Sequence, residues 1–424
     1  MGETNRLFSK SFIRKSLVGR IIHHLMGGSQ GIAAEPAVPQ VGPKPPRPQR
    51  VPRRGQRMPA SAADAARRQN PSPKPGSELI RGFLSTQAAL SVPTQIRCAC
   101  VCAIKDEAPY IHEYVHHHLF FGFSPVIVIL NRTSDASRSI LERISEKHPE
   151  VICMDCDWVD LIHPDCSLMQ RIAYAYGISY LRRHGLATHA LLSDADEFWY
   201  TMDFETKIDS WVRSLNHRNF DQVSFPWHNQ NAPEKAFEPP FRNDRVQASR
   251  TVKSIVRVSS PILEPRPHYS LFEGPVSHID SRGLEFRKQP RPPYQYGGDP
   301  EDQTAFVLHR IQRSEDEYLI SLVRGNPKDH KALKDNRLGY VNNATLTHGI
   351  APERLTHYWN SLEHFVSECG LAEEIARARE IKMSVLLSFE KTIEGFLANT
   401  THPAKTLRTL RQILTGTRYS GRWD

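Results

Sequence analysis

The chain has 424 residues, 39% of them hydrophobic and 24% charged, which is room for two or three domains with cores of their own. Its net charge of +9 is unevenly placed: residues 1–76 hold 14 Lys and Arg against 3 Asp and Glu, leaving a body at −2, which argues against a basic groove for nucleic acid. No stretch approaches the roughly 18–20 apolar residues of a membrane span, and the first residues lack the continuous apolar region typical of a secretion signal.

Residues 5–26 place Leu7, Phe8, Phe12, Ile13, Leu17, Ile21 and Leu25 at mixed three- and four-residue steps among basic residues. This reads either as an amphipathic helix resting on an anionic membrane surface or as a frayed leader. From about residue 28 to 77 the chain is Pro, Arg, Ala and Gln without apolar periodicity, the composition of a disordered tether. Ordered structure is expected from residue 78. Ile96 to Ile104 reads as a strand, Lys105-Asp106-Glu107 as a loop, and Pro109 suits the first turn of a helix running to Phe121. A strand from Pro125 to Leu130, the polar turn Asn131–Asp135, a helix from Ala136 to Lys147 and a strand from Val151 to Met154 follow. A longer helix, Leu168 to His184, leads to an apolar strand at Ala190-Leu191-Leu192.

Strands alternating with helices imply a parallel sheet flanked by helices, with its ligand site beyond the carboxyl ends of the strands. The three segments 105–107, 131–135 and 194–197 all follow strands and so are expected to share one edge. After Trp199 the strand candidates are Val223–Trp227, Thr251–Val258 and Ala305–Leu308. The loops 228–250 and 260–300 between them are long enough to be lids. From Pro352 to Leu414 helical spacing dominates. Of the seven cysteines, Cys98, Cys100 and Cys102 alternate along one strand face. Cys153-x-x-Cys156 with Cys166 begins like a zinc site but finds no fourth ligand at convincing spacing, so core thiols of a reducing cytosol are the expectation.

Asp194-Ala195-Asp196-Glu197, at the end of the apolar strand, concentrates charge where burial makes it costly unless a cation sits there. Residues i and i+2 of an extended segment point the same way, so Asp194 and Asp196 are candidate ligands for one hard ion, Mg²⁺ or Mn²⁺. The competing reading is a solvated acidic turn, which would suffice for a bare D-x-D without the buried strand before it and Phe198-Trp199 after it.

The ordered set CACVCAIKDEAPYIHEYVHHHLFFGF, VIVILNRTSDAS, MQRIAYAYG and LLSDADEFW resembles glycosyltransferase family 2 and its relatives in family 92. So do Arg250–Arg257, similar to a K-x-I-V-R segment, and Leu308–Ser314 with Arg324-Gly325, similar to an N-H-Y-x-x-K-S…R-G block. Asp106 and Arg310 depart from the Asn and Tyr usual there. The resemblance, over residues 97–326, implies a GT-A-like, Rossmann-type, mostly parallel sheet flanked by helices, with a helical C-terminal extension. It also implies transfer of a sugar from a nucleotide-diphosphate donor to a glycan or lipid-linked hydroxyl acceptor, with inversion and a Mn²⁺ or Mg²⁺ cofactor.

Carried onto this chain, Asp194, Asp196 and His309 hold the metal, with His278 as the second histidine candidate. Lys105, Asp106, Glu107, Asn131, Asp135, Gln170 and Arg171 meet the donor. Lys253, Arg257 and His278 meet diphosphate or acceptor. The base that deprotonates the acceptor is left open among Glu197, Asp299, Glu301 and Asp302. The corresponding organisation is a leader (1–27), a linker (28–77), a transferase domain (78–335) and a helical extension (336–424). A cytoplasmic body with peripheral contact at the inner membrane face, and no nucleic-acid partner, completes the expectation.

Two rivals stand beside it. His112-Glu113-x-x-His116 matches the zinc-protease helix, in which histidines at i and i+4 share a face; Glu142 is a conceivable third ligand. The other rival is a nucleotide-sugar-binding protein that keeps the fold without catalysis.

Overall fold

The computed structural model describes residues 76–85, 94–163, 167–290, 292, 294–323, 334, 337–397 and 404–422. The leader, nearly all of the linker, Cys166 and the Arg324-Gly325 pair lie outside them. The protein is a mixed α/β structure whose central sheet is curled, mostly parallel and flanked by helices. Strands β1 (Cys98–Ile104), β2 (Val126–Leu130), β3 (Val151–Asp155) and β4 (His189–Ser193) run parallel in the order β3-β2-β1-β4. Strands β1, β2 and β4 are buried on both faces and read as near-continuous apolar runs, the pattern of a covered parallel sheet, while β3, at the end of the order, is half-buried.

The side-chain alternation of β1 splits the interior into two layers. Cys98, Cys100 and Cys102 face the cluster containing Tyr114, Val115, Ile140 and Ile144 from helices α1 (Ile111–Phe120) and α2 (Ser137–Lys147). Ala99 and Val101 face Ile172, Ala173, Ile178 and Leu181 on helix α3 (Met169–His184). Helix α3 passes so close to β1 that a Cβ on Gly177 would stand 2.6 Å from Val101 Cγ1. It stops at Gly185, whose φ of 59° is the left-handed cap that glycine takes without steric cost.

Beyond β4 the sheet changes direction. Strand β7 (Arg245–Arg257) lies antiparallel to β4, and β6 (Gln222–Gln230) antiparallel to β7. After the short strands β8 (Ile262–Glu264), β9 (Leu271–Phe272) and β10 (His278–Asp280), strand β11 (Ala305–His309) runs parallel to β6, and β5 (Glu197–Thr201) antiparallel to β11 at the end of the strand order. The chain leaves β4 at Asp194, turns through Ala195 and Asp196, and re-enters the sheet at Glu197. The two halves of the acidic motif therefore belong to strands separated by β7, β6 and β11.

The C-terminal region is helical, as its spacing predicts: Pro352–Glu368, Ala372–Leu397 and Ala404–Leu414, the first opened by a proline at N1. Tyr358 and Phe365 join the main core. The last two helices, with the helix Glu315–Val323, enclose a separate cluster that includes Leu319, Leu322, Leu386, Phe389 and Ile413. Among the described residues no helix is long and apolar enough to cross a membrane.

Candidate active site at the strand ends

Because β1, β2 and β4 are parallel, their following loops emerge at one edge, and the structure stitches two of them together. Asp106 Oδ1 accepts hydrogen bonds from the Ser134 amide (2.7 Å) and hydroxyl (3.1 Å). Asp135 Oδ2 accepts from the Ala108 amide at 2.9 Å. Asn131 is buried and donates to the Cys156 carbonyl at 3.3 Å. Asp106, Asn131 and Asp135 thus spend their polar groups fixing the loops. Lys105, half-buried, opens the first loop, and Glu107 pairs with Arg313 at 3.4 Å.

The third loop carries a denser network. Asp194 Oδ1 accepts from the Gln170 amide and, at 3.3 Å, from the Tyr174 hydroxyl. Lys253 Nζ lies 3.1 Å from Asp194 Oδ2 and 2.8 Å from Glu197 Oε2, with the Lys253 and Glu197 side chains both fully buried. Continuing the antiparallel register of Leu191 with Ile255 brings Lys253 opposite Ser193, one residue from Asp194. Glu197 Oε2 also accepts from the Asp194 amide at 2.8 Å, and its Oε1 is buried without a partner. Burial opposes the Asp194 charge, but Lys253 outweighs it and holds the carboxyl below the usual range. Burial pushes Glu197 well up, helped by the charges of Asp194 and Asp196 and opposed by Lys253.

His309 arrives by strand register. It pairs across β11 and β5 with Glu197 and across β11 and β6 with Asn229. Its Nδ1–H donates to Asn229 Oδ1 at 3.2 Å, which leaves the Nε2 lone pair 3.9 Å from Asp196 Oδ2. Burial lowers its pKa to about 4, so the ring is neutral near pH 7. A neutral imidazole fixed through its other nitrogen is the form that ligates metals.

Asp196 lines a cavity at this edge with Glu107, Tyr110, Arg310 and Arg313, together with Lys334, Arg337 and Lys382. Arg313 lies flat on Tyr110, 3.4 Å from the ring centre, and Lys382 donates to the Asp106 carbonyl at 3.1 Å.

The predicted residues therefore divide. Gln170, Asp194, Glu197 and Lys253 form one network; Asp196 and Glu107 line the cavity beside it, with His309 Nε2 3.9 Å from Asp196. Three others lie elsewhere. Arg257 is four residues further along β7, about 13 Å at strand rise, where it faces His189 and donates to the Phe220 carbonyl at 2.9 Å. His278 registers with Gln222 at the same remote end of the sheet; there it stacks on Phe286 and bonds Ser224 at 2.7 Å. Arg171 turns to Glu264. Of the base candidates in the acidic loop, Asp299 accepts the Glu301 amide at 3.0 Å and Asp302 pairs with Arg282.

Sequence reasoning passed over Tyr174, Asn229 and Lys382. Tyr174 had a signal, standing four residues after Gln170 on one helix face; the other two depend on pairings between distant segments.

The His112/His116 motif is used for packing. Burial drops both histidines to about 3, and His116 Nε2 bonds Ser361 at 3.0 Å. Glu113 is held by Arg310 at 2.9 Å and Arg379 at 3.6 Å, so guanidinium groups occupy the place where a metalloprotease holds water. Among the described residues no group of three His, Cys, Asp or Glu is arranged to hold a metal. Asp196 and His309 nonetheless fit a divalent ion as a pair, with positions left for substrate oxygens. Asp194 fits poorly, both of its oxygens already accepting from the chain.

No protein-family model matches the chain, and no curated protein does. Among solved structures it is similar to the mannosyltransferase PcManGT from Pyrobaculum calidifontis in complex with GDP-Man and Mn²⁺. The two are 12% identical, the match covers 78% of this chain and 84% of that one, and the TM-score is 0.25. At that score the likeness carries no argument for activity.

Proposed function

We propose that the chain is a metal-dependent glycosyltransferase, moving a sugar from a nucleotide-diphosphate donor to a glycan or lipid-linked hydroxyl acceptor with inversion. The observation that carries this reading is the meeting of neutral His309 with Asp196, which lines a cavity together with Arg313, beside loops that follow parallel strands. Asp196 and His309 would hold Mn²⁺ or Mg²⁺, which when bound neutralises charge gathering on the departing diphosphate. Asn229 fixes the tautomer of His309. Gln170 and Tyr174 hold Asp194 at the strand end before Asp196. Arg313, stacked on Tyr110, presents fixed positive charge where phosphate oxygens lie, stabilisation that requires no reorganisation during reaction. In this reading residues 78–335 are the transferase unit, preceded by leader and linker, and the helices from 336 onward brace its rim. The body is cytoplasmic, with peripheral membrane contact through the leader.

Incubating the full chain and Mn²⁺ with a panel of nucleotide sugars tests this. Slow donor hydrolysis is expected, falling at least about a hundredfold in Asp196→Ala, a loss typical of removing transition-state charge stabilisation. The reading fails if no nucleotide sugar is turned over and none raises the melting temperature.

A further inference from the structure

The D-x-D turn already holds a cation of its own. An ammonium with no solvent exposure is costly unless opposite charge meets it, and Lys253 meets two carboxylates, Asp194 at 3.1 Å and Glu197 at 2.8 Å. Neither contact is a matter of side-chain wandering. Lys253 lies on β7, whose register with β4 places it beside the turn. The remaining Asp194 oxygen is taken by Gln170 and Tyr174. An ion reaching Asp194 would have to displace an ammonium whose stem is enclosed. Asp196 differs in its partners: its carboxylate faces the Nε2 of His309 at 3.9 Å and lines the cavity.

We propose that Lys253 is the resident countercharge of Asp194 and Glu197, a positioning residue that keeps both carboxylates out of any metal's ligand shell and leaves Asp196 to meet the ion. The two aspartates of the motif then have different tasks: Asp194 holds a lysine, and Asp196 holds the metal. This rests on the metal reading above, and its test needs no nucleotide and no turnover.

Binding of Mn²⁺ alone to the full chain is followed by the electron paramagnetic resonance signal of the free ion. Asp194→Asn is expected to keep the wild-type affinity within about threefold, and Asp196→Asn to weaken it at least tenfold. Lys253→Met, by releasing both carboxylates, is expected to bind Mn²⁺ at least tenfold more tightly, a gain that a merely structural lysine would not produce and that Lys253→Arg does not show. Equal losses in Asp194→Asn and Asp196→Asn overturn the inference alone, as does unchanged affinity in Lys253→Met. A wild-type chain that binds no Mn²⁺ at millimolar concentration overturns the metal reading and the inference with it. Should the variants not fold, anomalous scattering from Mn²⁺ soaked into wild-type crystals decides: the peak belongs on Asp196 and His309 with Lys253 still on Asp194, and a peak on Asp194 with the lysine displaced refutes the proposal.

Discussion

The ion pair between Arg310 and Glu113 offers the sharpest test of how this molecule treats charge. Their side chains are 2% and 1% exposed, 2.9 Å apart. At an effective dielectric near 20, unit charges at that separation attract by roughly 6 kcal/mol. Desolvation takes back much of this, and removing one partner of such a buried pair costs about 3–5 kcal/mol, because the other is left uncompensated. In Arg310→Met, Glu113 would retain only Arg379, at 3.6 Å, so a loss near 3 kcal/mol is expected in urea unfolding at pH 8. Burial already pushes the Glu113 carboxyl up, against the pull of Arg310 and Arg379. Losing Arg310 lifts it further, so the folded variant binds a proton that the unfolded chain releases. Its stability should therefore recover as pH falls from 8 toward 5. The double variant Glu113→Gln/Arg310→Met removes both charges and is expected to lie within about 2 kcal/mol of wild type, without that pH dependence. A loss under about 1 kcal/mol in the single variant, or a double variant as unstable as the single, would refute the reasoning.

Gly177→Ala is expected to destabilise the fold by about 1–2 kcal/mol, because steric overlap with Val101 exceeds the roughly 1 kcal/mol of helix propensity gained. Val101→Ala in the same chain should restore much of the loss, and a single variant as stable as wild type in denaturant melts would contradict the contact. At Asp203 partial burial works upward, but the Thr201 and Thr206 hydroxyls and the Glu205 and Thr206 amides bring the carboxyl down to about 2. A depressed carboxyl stabilises the fold above its unfolded value and loses that contribution as pH falls through the folded one. The melting temperature of wild type should thus drop more than that of Asp203→Asn between pH 4 and pH 2; parallel curves would remove Asp203 from the account.

The four parallel strands through Ser193 and the three long helices between them were readable because each is local and strongly patterned, whereas the short helices Ser77–Leu84 and Trp158–Ile162 were not. VIVIL can be buried on both faces, and Ile140, Leu141 and Ile144 fall on one side of a helix. That the loops after β1, β2 and β4 share an edge follows from parallel pairing. What local pattern could not supply was pairing across distance. Glu197–Thr201 has strand-forming residues, but only its antiparallel register with β11 seats His309 beside Asp196. Lys253 and Arg257 look equivalent on paper, two cations on one strand face. The register with β4 sends one to the acidic turn and the other to the opposite end of the sheet. His278 and His309 likewise differ in which strand they close, not in their neighbours along the chain.

An ammonium fastened to the backbone by four methylenes has no dissociation constant. Chelators cannot strip Lys253 from Asp194, dilution cannot empty that place, and no competing metal can be mistaken for it. The turn between β4 and β5 can therefore form during folding with a cation already in place, whatever the supply of divalent ions around the newly made chain.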